Sequence, residues 1–483
     1  MNIVTTLKRL RFVGIISLVV LSSAFVSHAQ SVAERIDTTI VRAMRANNIP
    51  GLSVAIVKDG TLAFAKGYGL ADRERNIPVT TQTRFAIASV SKTFTAIALM
   101  QLVQAGQVRL DADVNTYLPF QVRNPAFPMM PITVQMVLTH TSSINDGPNL
   151  FSDFVVSGDS PIALADFMRR SLSSNGDLLG RAAEFSMRAP GAEFRYTNMN
   201  TALLGYIVEV VARQPFNQYC NQRLFAPLCM NATRWFLSEL DSTTVAVPYS
   251  KNGTNLVRRP YTGFPDYPDG QIRTNVLDMS KFLWALLNNG SAFSGSQILS
   301  PATLRQILSP VAPSGSIGLH FFYDEITSRD SAWGHAGGLD DATAEMYFLR
   351  SENVGVTFMA NTSVSSANST ALWQALMALG REIVPNTRNP IVCDLVSSVR
   401  TEKSNQSELV TLSPNPVNDV LLVNLPTNGV SVRLVDVLGR DIYSLKDAPV
   451  QVQISTEHLA QGAYFLVVSR NGSVIATEKI LKY

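Results

Sequence analysis

The sequence has only three cysteines among its 483 residues, at positions 220, 229 and 393. So few cysteines at such uneven spacing predict neither a disulfide framework nor a zinc site. An exported chain can still form one bridge, for which we expect the pair Cys220 and Cys229; three buried free thiols are the alternative. His140 and His335 lack the spacing of a metal-binding helix motif. We therefore predict no metal and no other cofactor.

The sequence also lacks a surplus of either charge. It contains 40 lysines and arginines against 37 aspartates and glutamates, and three of the basic residues lie within the first 11 positions. The rest of the chain is therefore neutral overall, and no basic stripe is visible. Proteins that bind DNA or RNA need a basic surface against the phosphates, so we expect no nucleic-acid partner.

Long hydrophobic runs are missing after the first 30 residues. Residues 1–29 have the pattern of a signal peptide, with a basic start, the apolar run 12–26 and a small-residue site that ends at Ala29. A membrane anchor is the alternative, but the run is shorter than the ~20 residues that a spanning helix needs. We expect export and a mature chain from Gln30 with no transmembrane segment.

The pattern of residues 30–390 predicts an α/β (α+β) domain. Apolar residues at helical spacing predict a helix near each end, from Val32 to Met44 and from Leu372 to Ile383. A hairpin is predicted over residues 52–68, and three more strand-like runs lie near residues 333–360. We expect one antiparallel sheet flanked by the terminal helices and closed by both ends of the chain, with a large helical subdomain inserted.

The composition changes after residue 390. Residues 391–408 contain the polar stretch TEKSNQSE, which predicts a linker. Residues 409–483 contain short runs of alternating apolar residues, with a turn signal at residues 470–473. We predict that this tail is a small all-β sandwich.

Ser89 and Lys92 lie in the run FAIASVSKTFTA and are the first candidates for catalysis. They are one helical turn apart, which places their Cβ atoms roughly 5–6 Å from each other. A serine hydroxyl needs a nearby base to act as a nucleophile, and a lysine supplies one if burial and cationic neighbours lower its pKa. Ser89 is expected near the N-terminus of a helix that runs through Leu102, where backbone N–H groups favour an anion.

Tyr196 and Asn198 come just before a predicted helix, in the stretch PGAEFRYTNMN. A loop at the start of a helix can project both side chains into a cleft. Tyr196 would relay a proton there, and Asn198 would hold a substrate carbonyl or orient Lys92. The alternative is structural, in which Asn198 caps the helix and Tyr196 packs.

The stretch WGHAGGLDD leads into a predicted strand and contains His335, Gly337 and Gly338. Glycines on a strand allow a substrate to approach the backbone closely and leave an N–H group free for an oxyanion hole. The alternative for His335 is a satisfied histidine of the core.

In the order SxxK, YxN and HxG, these motifs resemble the serine β-lactamase and penicillin-binding-protein superfamily. The closer likeness is to class C β-lactamases, D-alanyl-D-alanine carboxypeptidases, D-aminopeptidases and family VIII esterases. The resemblance covers about residues 32–383 and includes VLTHTSS, FAPLCMNAT and DGQIRTNVLDMSKFL. In such proteins His140 belongs to a structural loop.

The resemblance implies a role for each motif residue. The catalytic residues are the acylated nucleophile Ser89, its general base Lys92 and the proton relay Tyr196. The residues that contact the substrate or form the oxyanion hole are Asn198, His335, Gly337 and Gly338, with the N–H groups of Ser89 and Gly338 as the hole itself.

Two residues depart from the family pattern. His335 stands where β-lactamases and transpeptidases usually carry a lysine, the cation that engages the substrate carboxylate. Histidine is more typical there of the esterase and aminopeptidase members, so we expect β-lactamase activity to be weak or absent. Cys229 stands where the family usually has a glycine, which points to a reshaped turn.

The tail resembles the C-terminal sorting domain of the type IX secretion system, on the stretches LSPNPVND, VRLVDVLGR, LAQGAYFLVV and KILKY. This implies that the type IX machinery is a partner and that the protein, exported through the periplasm, is secreted or held at the cell surface. An ordinary module that binds a surface partner is the alternative.

Together these observations predict a secreted serine hydrolase that works through an acyl-enzyme. Its substrate would be a small-molecule or peptidoglycan-derived ester, D-amino-acid peptide or amide, or β-lactam-like compound. A different possibility is a catalytically silent penicillin-binding-like protein that holds peptidoglycan or a surface partner. The presence of Ser89, Lys92 and Tyr196 together favours the enzyme, because a pure binder has no need of all three.

Overall fold

The computed structural model describes most of the chain between residues 31 and 482. The described ranges are 31–311, 313–327, 330–384, 391, 393, 410–413, 417–425, 427–436, 441–470 and 473–482. The predicted signal peptide and most of the predicted linker lie outside them. The chain divides into two compact units, residues 1–399 and 400–483, while the predicted domain boundaries stay predictions. None of the described helices is long and apolar enough to span a membrane.

The described part of the larger unit contains helices and strands throughout. Its helices are α1 (Val32–Ala46), α2 (Ser91–Gln104), α3 (Val134–Leu138), α4 (Leu150–Asp153), α5 (Leu164–Leu172), α6 (Asn198–Ala212), α7 (Phe216–Cys220), α8 (Val276–Leu287), α9 (Pro301–Ile307) and α10 (Ser366–Glu382). Its strands are β1 (Gly51–Lys58), β2 (Thr61–Asp72), β3 (Ile77–Pro78), β4 (Phe85–Ala86), β5 (Ile144–Asp146), β6 (Val156–Ser157), β7 (Ala183–Phe185), β8 (Tyr249–Asn252), β9 (Asn255–Arg258), β10 (Thr262–Gly263), β11 (Arg273–Thr274), β12 (Phe322–Thr327), β13 (Asp330–Leu339), β14 (Ala342–Leu349) and β15 (Val354–Ala360).

Seven of these strands form one antiparallel sheet in the order β12-β13-β14-β15-β1-β2-β3. Strand β1 pairs with β2 in the predicted hairpin and with β15 on its other side, where Val54 lies opposite Phe358. The two ends of the region therefore close the sheet, which confirms the predicted fold class. The sequence patterns missed β12, because an edge strand such as this one has too few apolar residues to stand out.

The two terminal helices cover one face of the sheet. Helix α1 begins with a capping box between Ser31 and Glu34, which satisfies two backbone donors of its first turn. Its buried residues Ile36 and Ile40 lie in one hydrophobic cluster with Trp373 of α10. The predicted helices at both ends of the region are thus confirmed.

The helical subdomain covers the opposite face. Helix α2 lies at its centre, and most of its residues are buried, so it has no polar face. Phe94 of α2 stacks on Phe282 of α8 with ring centroids 3.9 Å apart. A lysine in such a helix needs buried polar partners, because an unpaired charge in this core is costly. Lys92 is completely buried in α2, and its partners define the site described below.

The predicted disulfide is wrong. Cys229 pairs with Cys393, with Cα atoms 5.1 Å apart, while Cys220 is a buried free thiol. Cys220 and Cys229 are close in sequence, but Cys220 ends α7 and lies in the hydrophobic core, whereas Cys229 lies in the following turn with φ of 54°. That left-handed backbone favours glycine, which explains why glycine is usual at this position. The bridge ties the start of the predicted linker to the larger unit.

The smaller unit consists of two antiparallel sheets, as predicted for the tail. Its strands are β16 (Thr411–Ser413), β17 (Val420–Asn424), β18 (Val430–Asp436), β19 (Asp441–Ala448), β20 (Gln451–Ser455), β21 (Gly462–Arg470) and β22 (Ser473–Lys482). The sheets have the orders β16-β17-β20 and β19-β18-β21-β22. Alternate residues such as Leu421, Val432 and Leu466 face a shared core. Of the predicted turn at residues 470–473, the two central residues lie outside the described part.

Candidate active site

Ser89 and Lys92 lie beside each other, as their spacing predicts. Ser89 is in a single 3-10 turn, Ala88–Val90, which leads directly into α2, so it precedes the helix rather than lying within it. The Lys92 Nζ donates a hydrogen bond of 3.0 Å to the Ser89 Oγ. Ala88 has φ of 44°, an unfavourable backbone conformation for a residue with a side chain, and such strain is common next to reactive groups.

A distant segment, residues 269–274, holds the serine turn in place. The Ile87 N–H donates to the Ile272 carbonyl over 3.0 Å, and the Ile272 N–H donates to the Ser91 Oγ over 3.2 Å. The short strands β4 and β11 also pair, with Phe85 opposite Thr274. Contacts between segments far apart in sequence therefore fix the position of Ser89.

Lys92 has carboxylates around it rather than the expected cations. Its Nζ donates to the Asp269 carbonyl over 2.7 Å and lies 3.5 Å from the Asp269 Oδ2. Burial lowers the pKa of Lys92, but Tyr196, Asp269 and Asp146 together raise it, and the resulting pKa lies above the ordinary lysine value. Lys92 is therefore an ammonium group in this state, and the expected lowering of its pKa does not occur.

Three carboxyl groups near Lys92 were missed by the sequence analysis. Burial raises the pKa of Asp269 to about 6, and it raises the pKa of Asp146. Burial and the neighbouring Asp269 hold the pKa of Asp266 well above its usual range. Asp266 precedes the 3-10 turn that ends at Asp269, while Asp146 ends strand β5. They follow no short motif, so only DGQIRTN, which begins at Asp269, gave a signal.

Asn198 and Tyr196 are placed by the start of helix α6. Thr197 caps this helix, because its side chain accepts a hydrogen bond from the Asn200 N–H. Asn198 is the first helical residue, and its N–H donates to the Asp146 carboxylate over 3.0 Å. The alternative in which Asn198 caps the helix is therefore wrong. The Tyr196 ring is about one third exposed, and its centroid lies 5.2 Å from the Lys92 Nζ.

His140 lies in the core beside this loop. Its Nδ1 accepts a hydrogen bond from the Thr197 N–H over 3.3 Å, and its ring stacks on His320 with centroids 4.4 Å apart. Burial lowers the pKa of both imidazoles. These neutral rings hold the loop that carries Tyr196, which fits the structural role expected for His140.

His335 is buried on β13 and is neutral. Its Nδ1 donates to the carbonyl of Ala336 over 2.5 Å, and burial lowers its pKa to about 3. The ring lies near the rings of Tyr196 and Phe322, with centroids 6.1 and 5.0 Å away. No fixed positive charge stands at this position, so a substrate carboxylate has no partner there.

The two glycines after Ala336 have different surroundings. A Cβ at Gly337 would lie 2.3 Å from the Ile87 carbonyl oxygen and 3.2 Å from the Ser89 nitrogen, so only glycine permits the strand to approach the serine turn. A Cβ at Gly338 would meet nothing within 4 Å. Gly338 therefore faces open space beside Ser89.

Two cavities meet at Ser89 and Tyr196. One arm, of about 210 Å³, also includes Asn198, Gly338, Phe264 and two of the carboxyl groups; we call it the Asn198 arm. The other arm also includes His335, Phe322, Asp324 and Tyr347; we call it the His335 arm. Five of the seven predicted site residues thus line one cleft, and the other two, Lys92 and Gly337, lie against Ser89. No cluster of metal-ligating side chains occurs among the described residues.

The family model described as Beta-lactamase matches residues 36–380. The chain belongs to the beta-lactamase family. A second model, described as Secretion system C-terminal sorting domain, matches residues 411–483. The beta-lactamase family member therefore carries a type IX sorting domain, which indicates export and a cell-surface or secreted location.

Two curated bacterial proteins are similar in sequence to this beta-lactamase family member. Protein flp of Staphylococcus aureus (strain MRSA252) is 27% identical and covers 78% of this chain and 72% of its own length. The putative penicillin-binding protein PbpX of Bacillus subtilis is 29% identical over 55% of this chain and 60% of its own.

Two solved structures share the fold. One is an octameric penicillin-binding protein homologue from Pyrococcus abyssi, with a TM-score of 0.61 at 22% identity, which covers 93% of this chain and 98% of its own. The other is a penicillin-binding protein from Bacillus halodurans, with a TM-score of 0.56 at 25% identity, which covers 70% and 98%.

Proposed function

We propose that this protein is a serine hydrolase that forms an acyl-enzyme at Ser89 and releases it with water. The observation that carries the proposal is the 3.0 Å hydrogen bond between the Lys92 Nζ and the Ser89 Oγ at the meeting point of two cavities. A serine that only stabilises the fold has no need of a buried ammonium partner or of an open cleft. The N–H groups of Ser89 and Gly338 would form the oxyanion hole.

Lys92 and Tyr196 act in this proposal as a pair. Lys92 donates its hydrogen bond to the Ser89 Oγ, and its Nζ lies 5.2 Å from the centroid of the Tyr196 ring. The Tyr196 hydroxyl receives the proton of Ser89 while Oγ bonds to the substrate carbonyl carbon. As the bond to the leaving group breaks, Tyr196 returns the proton to that group. Water then attacks the ester carbonyl of the acylated Ser89. Tyr196 takes a proton from the water and returns it to the Ser89 Oγ as the acid leaves.

The substrate class follows from the neutral His335. We propose that the protein hydrolyses esters or amides, including D-amino-acid peptides from peptidoglycan, in preference to β-lactams. A β-lactam carboxylate finds no cation at His335, and Asp324 in the same arm repels it. The fold alone does not decide among these substrates, because loops around the cleft set specificity.

Fluorophosphonate labelling and ester hydrolysis test the proposal. Wild-type protein should react at Ser89 and hydrolyse p-nitrophenyl butyrate, and folded Ser89→Ala protein should do neither. Removal of one exposed hydroxyl leaves little cavity, so the fold should survive. Retained turnover in Ser89→Ala would contradict the mechanism. Silence of the wild-type protein in both assays would favour a binding protein that retains the fold.

A further inference from the structure

Asp266 is a buried carboxyl group to which, among the described residues, only its own backbone N–H donates. It occupies the position before the 3-10 turn Tyr267–Asp269, but its side chain makes no capping hydrogen bond. Only 3% of the residue is exposed. Within the described part of the chain, no other residue donates a hydrogen bond to its carboxyl group, and no basic residue forms an ion pair with it. The residue lines the Asn198 arm beside Ser89.

A carboxyl group in such a place normally has a partner, because burial without a hydrogen bond is costly. Asp269, the neighbouring carboxyl group, lacks a partner from the described residues at one of its two oxygens. Its Oδ2 faces Lys92, but its Oδ1 is buried and has no partner. Of the two neighbouring carboxyl groups, Asp266 therefore has unused hydrogen-bonding capacity on the wall of the arm, which a ligand can satisfy.

The protein supplies no cation for this purpose. Among the residues that the structure describes, no lysine or arginine lines either arm of the cleft, and the nearby Lys92 is already bound to Ser89 and Asp269. Each arm instead contains at least one carboxyl group, Asp324 in the His335 arm and Asp266 in the Asn198 arm. The cleft is thus suited to neutral or cationic groups and unsuited to a carboxylate.

We infer that the Asn198 arm binds a primary ammonium group on the acyl part of the substrate, with Asp266 as its partner. The inference rests on the proposed function, because it specifies the substrate of that same cleft. Leu150, Phe264 and Leu339 line the arm as well, and these side chains suit a short methylene spacer between the ammonium group and the reacting carbonyl. An ammonium group at Asp266 would also favour its ionised form, which burial and Asp269 oppose in the empty cleft.

Three ethyl esters of matched size test this inference. β-Alanine ethyl ester ends in an ammonium group, ethyl butyrate has a methyl group in its place, and monoethyl succinate has a carboxylate. Each kcat/KM is divided by the alkaline hydrolysis rate of the same ester to remove differences in reactivity. We expect the ammonium ester to exceed ethyl butyrate by roughly tenfold or more, as one hydrogen bond to a charged group allows. Monoethyl succinate should be the poorest of the three.

Two isosteric variants locate the effect. Asp266→Asn keeps the shape but removes the charge, so the ratio between β-alanine ethyl ester and ethyl butyrate should fall to within roughly twofold of one. Asp324→Asn is the matched control in the His335 arm and should leave that ratio unchanged. Equal rates for the first two esters in the wild type would overturn the inference, as would a ratio that depends on Asp324 rather than on Asp266.

A binding measurement keeps the inference separate from catalysis. Ser89→Ala protein should broaden the NMR signals of 3-aminopropanamide but not those of butanamide, and Ser89→Ala/Asp266→Asn protein should broaden neither. This result can occur even if no ester is hydrolysed, in which case the proposed function fails and the amine site stands. If all three esters are hydrolysed but 3-aminopropanamide does not bind selectively, the amine site fails and the hydrolase stands.

Discussion

The pair Ser89 and Lys92 and the pair Asp266 and Asp269 lie in the same cleft but arise from different kinds of contact. The first pair is three residues apart, so a single turn of the backbone brings the two side chains together. In the second pair, Asp269 contacts Lys92 from a position 177 residues away in the chain. A short motif therefore predicts the candidate nucleophile and its lysine neighbour, while the charged groups around that lysine come from residues that no local spacing reveals.

Lys92→Ala should cause the largest loss and tests the short-range pair. The variant removes the ammonium group that contacts Ser89 and faces the Tyr196 ring, so kcat/KM for p-nitrophenyl butyrate should fall by at least about a hundredfold. Steady-state kinetics on folded protein would measure it. A near-normal rate would mean that Tyr196 works without a cation and that the short-range pair is not the centre of the site.

Asp269→Asn should have a smaller effect and tests the long-range pair. The variant keeps the backbone carbonyl that accepts from Lys92 but removes the carboxylate that holds the ammonium group beside Ser89, so we expect a roughly tenfold loss, as for one hydrogen bond to a charged group. Because the pKa of Asp269 is about 6, wild-type kcat/KM should decrease as the pH falls below 6 and the carboxylate takes up a proton. Asp269→Asn should lack that decrease, and an unchanged acid limb would contradict the role of Asp269.

A third prediction tests whether the missing positive charge at His335 determines which substrates are preferred. A pKa near 3 keeps the ring neutral across the range from pH 5 to pH 9, so kcat/KM for p-nitrophenyl butyrate should exceed that for nitrocefin by roughly tenfold or more. His335→Lys should narrow the gap, because a lysine supplies the missing cation. Faster hydrolysis of nitrocefin by the wild type would overturn the assignment.

The bridge between Cys229 and Cys393 is a long-range contact outside the cleft, so it should affect stability and leave activity unchanged. Cys393→Ser should lower the free energy of unfolding by about 2–4 kcal/mol, the usual contribution of a disulfide, and should lower Tm accordingly. In the Cys393→Ser background, Cys229→Gly should be more stable than Cys229→Ser, because glycine accepts a positive φ without strain. A loss of esterase activity in Cys393→Ser at low temperature would contradict this division.

Sequence patterns predicted most of the fold and the residues that meet at the candidate site, for physical reasons that are visible in particular elements. The hairpin β1–β2 and helix α10 follow from local periodicity, and Ser89, Tyr196 and His335 follow from motifs. The partner of Cys229 and the carboxylates around Lys92 depend on contacts across the chain, which periodicity does not encode. We expected the pKa of Lys92 to be lowered, and the structure gives the opposite direction for the same reason. The direction of the shift depends on which charged residues lie near the lysine in the folded chain.

The most direct test of the account is to trap the acyl-enzyme itself. Wild-type protein mixed with p-nitrophenyl butyrate and quenched with acid within the first turnovers should carry one butyryl group, and peptide mapping should place it on Ser89. Ser89→Ala protein treated in the same way should carry none. Turnover of the ester by wild-type protein with the acyl group on another residue, or with no covalent adduct at all, would contradict the central claim.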